Sequence, residues 1–179
     1  NPALPLDFPD RPEENKGTST AQIECNFSKD DTESLLYELP RTRKARIQEV
    51  LLAVLLGVVT DWTHESQMII ALESHGRESH LTELDVFHSV GWFTSLFPFR
   101  LERKTDDLLE NLESVKEQFR KLPHNGFSYG ILKRKPEFAA ILPKIPTGII
   151  FNYLGQFDEN FPDSAPFIPS SEDAGVSSD

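Results

Sequence analysis

The sequence is poor in residues that form cross-links or bind transition metals. Its 179 residues contain one cysteine, Cys25, and five histidines. A single cysteine excludes an internal disulfide and fits the reducing cytoplasm. No cysteine or histidine pair has the spacing of a zinc site, so we expect no bound metal. Cys25 lies in a stretch where apolar and polar residues alternate, and we expect it to pack rather than act as a nucleophile.

Long apolar runs are also lacking. The longest, at residues 50–59, has ten residues, about half of the ~20 that a membrane-spanning helix needs. We interpret it as a buried core helix and expect no membrane partner. The first residues show no basic segment followed by an apolar one, the pattern of a secretory signal. We therefore expect a cytoplasmic protein.

Positive charge is scarce as well. Lysine and arginine total 18 against 29 acidic residues, giving a net charge of −11 and a pI near 4.9. Such a chain repels phosphates, which argues against a nucleic-acid partner. We interpret most of this charge as solvated surface; the alternative is that it contacts a basic patch on a neighbouring domain. The length suits one domain, or one lobe of a larger domain.

Composition divides the chain into three parts. Residues 1–18 contain four prolines and mixed charge, typical of an extended linker. Residues 19–161 carry the periodic apolar patterns of a folded region. The tail, residues 162–179, is rich in Ser, Pro and Asp, and we expect it to leave the fold.

Hydrophobic periodicity predicts the first elements. Alternation over residues 20–27 predicts a half-buried strand. Ser28 is expected to cap a helix that ends at Leu39, before a proline. A longer helix over about 44–62 is apolar nearly all round, which predicts a central position.

The remaining elements alternate strands and helices. We predict strands at 67–72, 90–101 and 148–153, with Pro98 marking an edge or a bulge. Thr105 is expected to cap a helix with one apolar face, and residues 126–130 are expected to form a turn. This order predicts an α/β or α+β layered fold, with a mixed sheet covered by helices.

Charged and polar residues follow the strand that ends near Leu72. In the hexapeptide 73–78, Glu73 is expected to emerge at the rim of the sheet. Burial raises the pKa of a carboxylate in general, as a base working near neutral pH requires. Arg77 is close enough in sequence to fold back and pair with a carboxylate. The simpler alternative is a surface turn with a weak Glu–Arg pair.

Two further candidates lie beside the last predicted strand. Because strand side chains alternate, only one of Asn152 and Tyr153 can share a face with Ile150. Either could donate a hydrogen bond to a developing oxyanion. The alternative is an asparagine in a turn and a packed tyrosine with its hydroxyl in water. The aromatic side chains that follow the hexapeptide in sequence are interpreted as core: Trp92, Phe93, Phe97 and Phe99.

Four segments in order resemble the C-terminal half of an epimerization domain of nonribosomal peptide synthetases, a branch of the condensation-domain superfamily. They are Glu73-Ser74-His75-Gly76-Arg77-Glu78, His88-Ser89-Val90-Gly91-Trp92-Phe93-Thr94 with Phe97-Pro98, Leu122-Pro123 through Gly126 to Tyr129-Gly130, and Phe151-Asn152-Tyr153-Leu154-Gly155-Gln156-Phe157. The resemblance runs from about Leu4 to the tail.

The resemblance implies a lobe like chloramphenicol acetyltransferase. It implies that a peptidyl carrier domain presents an aminoacyl or peptidyl thioester on its phosphopantetheine arm, with no cofactor bound directly. The implied reaction inverts Cα, from L to D, by two-base proton transfer. Glu73 is implied as the acid/base carboxylate with Arg77 as its orienting partner, and Asn152 and Tyr153 are implied beside the reacting centre.

The sequence also departs from that family. The family's N-terminal lobe carries a His-His-x-x-x-Asp-Gly motif, whereas this sequence has no His-His pair. We therefore expect no activity without a histidine-bearing N-terminal lobe as partner. Ser74 stands where glycine is usual. Two alternatives stay open: a lobe of a peptide-bond-forming condensation domain, or a non-catalytic lobe that binds a carrier protein.

Overall fold

The computed structural model describes residues 4–6, 20–77, 86, 88–146 and 148–155. Contacts between Cα atoms divide the chain into a larger unit, Asn1–Pro5 with Phe27–Asn152, and a smaller unit, Leu6–Asn26 with Tyr153–Asp179. All helices and strands of the described residues belong to the larger unit. They are α1 (Lys29–Glu33), a π-helix (Ser34–Glu38), α2 (Leu39–Arg43), α3 (Ile47–Thr63), β1 (Gln67–Ser74), β2 (Ser95–Glu102), α4 (Leu108–Arg120), a 3-10 helix (Pro123–Gly126), α5 (Ser128–Lys133), α6 (Pro136–Ala139) and β3 (Ile150–Phe151).

The first helical segment begins as predicted but ends later. The Ser28 side chain accepts a hydrogen bond from the Asp31 N–H, as an N-cap does. The prediction that the helix ends before Pro40 is wrong. A wide turn precedes the proline, and the Leu39 N–H bonds to the carbonyl of Ser34, five residues back. Such a turn relieves the conflict between a proline ring and the preceding turn of the helix.

The long helix α3 begins three residues later than predicted. Lys44 has a left-handed backbone, with φ of 48°, and separates α2 from α3. Glu49 closes the first turn of α3, because its Oε2 accepts the Arg46 N–H at 2.7 Å. Leu52 and Leu56 are fully buried, but Val58 is 61% exposed. The helix therefore covers the core with one side, and its predicted central position is wrong.

The sheet has three strands in the order β2-β1-β3. Strand β1 pairs antiparallel with β2, from Gln67↔Glu102 to Ser74↔Ser95. It pairs parallel with β3, where Leu72 is opposite Phe151. The predicted mixed sheet is confirmed, and Pro98 lies on an outer strand of the described sheet. Strand β2 begins at Ser95 rather than at residue 90, and β3 has two residues rather than six.

The core lies between the sheet and helices α3 and α4. Asp107, rather than the predicted Thr105, caps α4 by accepting the N–H groups of Leu109 and Glu110. The rings of Phe99 on β2 and Phe119 on α4 lie 4.8 Å apart. The predicted apolar face of α4 is confirmed at its centre. The buried apolar residues of this core are Val50, Leu52, Ala53, Leu56, Val59, Met68, Ile70, Leu72, Phe97, Phe99, Leu101, Leu112, Val115 and Phe119.

Several other predictions fail. Residues 20–27 form no strand, because no described strand pairs with them; Cys25 is exposed rather than packed. The expected turn at 126–130 instead leads directly into α5. Leu4, in the predicted linker, packs against the core. The Ser/Pro/Asp-rich tail lies outside the described residues. No described helix has the length and apolarity needed to cross a membrane.

Candidate active site

The carboxylate of Glu73 lies near the carboxyl end of β1, the middle strand of the described sheet. Its antiparallel neighbour on β2 is Leu96. Glu73 is half-buried, whereas Leu72 before it is almost fully buried. The side chain therefore stands where the apolar strand meets solvent, at the rim position that the sequence predicts.

Asn152 contacts this carboxylate. Because β1 and β3 are parallel and Leu72 is opposite Phe151, the next residue of each strand projects from the same face. The Asn152 side-chain Nδ2 donates a hydrogen bond to Oε2 of Glu73. The two residues are 79 positions apart in sequence, and the strand pairing brings them together. The amide fixes the carboxylate's orientation and occupies one of its two oxygens.

Tyr153 follows Asn152 but is the first residue of the second block of the smaller unit. Its side chain is half-buried. The proposed contribution of this hydroxyl to proton transfer, or to stabilising an oxyanion, stays a prediction.

Arg77 has a different position from the one expected. No ion pair joins it to Glu73 within the described residues. Its guanidinium donates instead to the backbone carbonyls of Val86, Ser89 and Gly91, at 2.9 Å for Ser89. It also stacks over the Phe93 ring, 4.3 Å from the centroid. The planar guanidinium, with several N–H donors, suits this combination of carbonyl bonds and ring stacking. Arg77 thus holds the segment that leads into β2.

The segment held by Arg77 exposes its largest apolar side chains. Val90 and Trp92 are 104% and 91% exposed, so the prediction that Trp92 belongs to the core is wrong. Phe93 is half-buried beneath the Arg77 guanidinium, and Phe97 and Phe99 are buried as predicted. The apolar run starting at Val90 reaches the core only where β2 begins.

A cleft of about 120 Å³ adjoins Glu73. Its polar lining includes Gln48 from the first turn of α3, His75 after β1 and Asn125 from the 3-10 helix. Its apolar wall is formed by Leu72, Phe97, Phe119 and Leu122. His75 accepts the Arg77 backbone N–H on Nδ1 at 2.9 Å. The carboxylate therefore faces a cleft with both an apolar wall and hydrogen-bonding groups.

The sequence analysis did not single out Gln48 or Asn125. Gln48 is a polar residue in the first turn of an otherwise apolar helix, and that contrast is a usable signal. Asn125 has a left-handed backbone, with φ of 50°, and only tertiary structure brings it to the cleft. In the described parts of the chain, no group of three or more acidic, histidine or cysteine side chains could hold a metal ion.

Replacing Arg77 with lysine is expected to loosen the segment 88–94. Lysine keeps the charge but loses the planar group, so three carbonyl bonds and the ring contact are not recovered. We expect local opening to become easier by about 1–2 kcal/mol, measured as faster amide hydrogen exchange in 88–94. Arg100→Lys, at an exposed position on β2, is the control. Equal exchange rates in the two variants would contradict this role of Arg77.

Comparison with known proteins identifies the family of the chain. The condensation-domain family model matches residues 1–178. One of the linear gramicidin synthases of Brevibacillus parabrevis is 40% identical over 189 aligned residues, which cover 98% of this chain and 4% of that protein. The chain belongs to the condensation-domain family, and the motif resemblance is confirmed at that level. It spans a small fraction of the length of such relatives.

Solved structures confirm the α+β fold. The epimerization domain from the third module of tyrocidine synthetase B superimposes with a TM-score of 0.71 at 31% identity, covering 79% of this chain and 32% of that one. The first condensation domain of the calcium-dependent antibiotic synthetase, in complex with a substrate analogue, gives 0.51 at 18% identity, covering 70% of this chain and 27% of that one. The second likeness concerns the fold alone.

Proposed function

We propose that this chain is the C-terminal half of a nonribosomal peptide synthetase epimerization domain. The domain would invert Cα of an aminoacyl or peptidyl thioester carried on the phosphopantetheine arm of a carrier domain. The observation that carries this proposal is the Glu73 carboxylate, held by Asn152 at the rim of the sheet and beside a cleft. The 31% identity to an epimerization domain across most of the chain supports it.

The chemistry suits a carboxylate in this position. A thioester acidifies the adjacent Cα–H, and removal of that proton leaves an enolate with negative charge on the thioester oxygen. In our proposal, Glu73 takes the proton from one face of Cα. A second group delivers a proton to the opposite face, and the electron pair returns from the enolate to Cα. Exchange of the two roles accounts for conversion in either direction.

Asn152 positions the base in this scheme. Its amide donates to Oε2 of Glu73; the other oxygen of the carboxylate accepts no hydrogen bond from the described residues and can take the proton. Arg77 contributes at a distance, by holding the segment between the hexapeptide and β2. Tyr153 is proposed as the donor to the enolate oxygen, because a neutral phenol stabilises developing negative charge.

The second proton-transfer group would come from the histidine-bearing N-terminal lobe, whose His-His-x-x-x-Asp-Gly motif this sequence does not contain. The test is exchange of the Cα proton with solvent deuterium on an aminoacyl carrier domain. We expect exchange when the chain is joined to that lobe and none with the chain alone. Exchange by the chain alone would refute the two-lobe mechanism. Amide formation without exchange would favour a condensation domain.

A further inference from the structure

A second cleft, of about 400 Å³, adjoins the one beside Glu73. The two clefts share four lining residues, Arg46, Phe119, Leu122 and Asn125. The second lies between the start of α3 and the carboxyl end of α4. A ligand in one cleft can therefore extend into the other along the wall formed by Phe119 and Leu122.

The charge of the second cleft opposes that of the chain. Four of its eight lining residues are basic, and one is acidic, although the whole chain carries −11. The basic residues come from two separate elements, the α2–α3 connection and α4. Their convergence on one concavity is a tertiary feature that the net charge hides. The four are Lys44, Arg46, Lys116 and Arg120.

Two of these cations have partners within the fold. The Arg46 guanidinium donates to Oε1 of Glu49 through Nε and one terminal nitrogen, at 3.0 and 2.9 Å. Lys116 is buried, and its Nζ donates to the Glu113 carboxylate at 2.9 Å and to the Arg43 carbonyl at 2.7 Å. Both serve the packing of α3 and α4.

The other two cations are available to a ligand. Lys44 and Arg120 are exposed, and neither forms an ion pair with any residue that the structure describes. They approach the cleft from the α2–α3 connection and from α4. Between them lies the apolar wall of Phe119, which is 7% exposed, and Leu122. The site thus combines two cations with an apolar path that leads to Glu73.

We propose that Lys44 and Arg120 bind the phosphate of a phosphate ester whose uncharged arm lies along Phe119 and Leu122 toward Glu73. A compact anion suits a concave site, and an acidic protein surface would suit a flat one better. Lysine and arginine are the side chains that bind phosphate most often. This inference rests on the proposed function, since the phosphopantetheine arm is such an ester and its thioester end would reach the carboxylate.

Binding to the 179-residue chain tests the proposal without requiring activity. We expect calorimetric titration at low salt to detect 4′-phosphopantetheine, to find pantetheine at least about tenfold weaker, and to find inorganic phosphate competing with the ester. The double variant Lys44→Gln/Arg120→Gln should weaken binding of the ester by about tenfold or more. The control is Arg134→Gln/Lys135→Gln, which removes the same charge at exposed positions outside the cleft.

Equal binding of pantetheine and its phosphate ester would overturn the proposal. Equal loss in the two double variants would do the same, since it would reflect net charge alone. An acidic peptide that binds more tightly than the ester would instead identify a protein-docking surface. Glu73→Gln should leave ester binding unchanged. Loss of exchange with binding intact would therefore count against the proposed function alone, and loss of binding with exchange intact against this site alone.

Discussion

Glu73→Gln is expected to lower exchange of the Cα proton by about 10²–10⁴-fold, the usual contribution of one general acid or base. Glutamine is nearly the same size and can still accept from Asn152, but it cannot take up a proton from carbon at neutral pH. The measurement is solvent-deuterium exchange on an aminoacyl carrier domain, with the chain joined to the histidine-bearing lobe. Folding should be unaffected, which circular dichroism checks.

Glu117→Gln is the matched control for this substitution. Glu117 is exposed on α4, and its replacement removes the same charge far along the chain from the hexapeptide. Asn152→Ala should give a smaller loss than Glu73→Gln, because the carboxylate stays in place but loses its orienting amide. If Glu73→Gln retains the exchange rate of the Glu117 control, Glu73 is not the base.

Gly76→Ala is expected to lower the free energy of unfolding by about 2–4 kcal/mol. Gly76 has φ of 65°, a left-handed conformation that disfavours side chains. A Cβ there would lie 1.7 Å from the Phe93 carbonyl oxygen and 2.8 Å from its carbon. Since both are backbone atoms, the segment held by Arg77 would have to move. Chemical denaturation of the 179-residue chain measures the effect.

Two other glycines make this prediction specific. Gly57 lies within α3 with nothing inside 4 Å of an added Cβ, so Gly57→Ala should be neutral or stabilise by up to about 1 kcal/mol. Gly126 has φ of 82°, and a Cβ would lie 2.2 Å from the buried Phe97 ring, so Gly126→Ala should also destabilise. Similar unfolding midpoints for all three variants would show that the close approach at Gly76 costs little.

Local sequence was sufficient where one strong period dominates. The apolar positions of α4, three and four residues apart, predict its buried face, and Leu112, Val115 and Phe119 form it. The run before Glu73 predicts β1. In both elements the side chains that the pattern marks as buried have a layer to pack against, so the periodicity and the tertiary structure agree.

Elsewhere the pattern lacked the necessary neighbour. The alternation over 20–27 would form a strand only beside another strand, and the described sheet ends at β2 and β3. Likewise Trp92 belongs to an apolar run, yet the backbone ahead of Ser95 is held outward by Arg77. Burial of such residues depends on partners distant in sequence, which periodicity does not register.

The candidate site was predicted in part. The rim position of Glu73 followed from the point where the apolar run stops, and the polar side chain of Asn152 was recognised beside the last strand. That Asn152 rather than Arg77 would contact the carboxylate depends on the parallel register of β1 and β3. Arg77 is near Glu73 in sequence, but the backbone turns at Gly76 and directs it to other carbonyls.

The parallel pairing of β1 with the two-residue β3 has a consequence for assembly. A carboxylate and an amide 79 positions apart meet only after the intervening polypeptide has closed a long loop, an entropic cost that short-range contacts do not share. The helices can form and pack before this happens. The acid/base group is therefore expected to acquire its final orientation late in folding, and premature termination before residue 150 would yield a helical core without an ordered base.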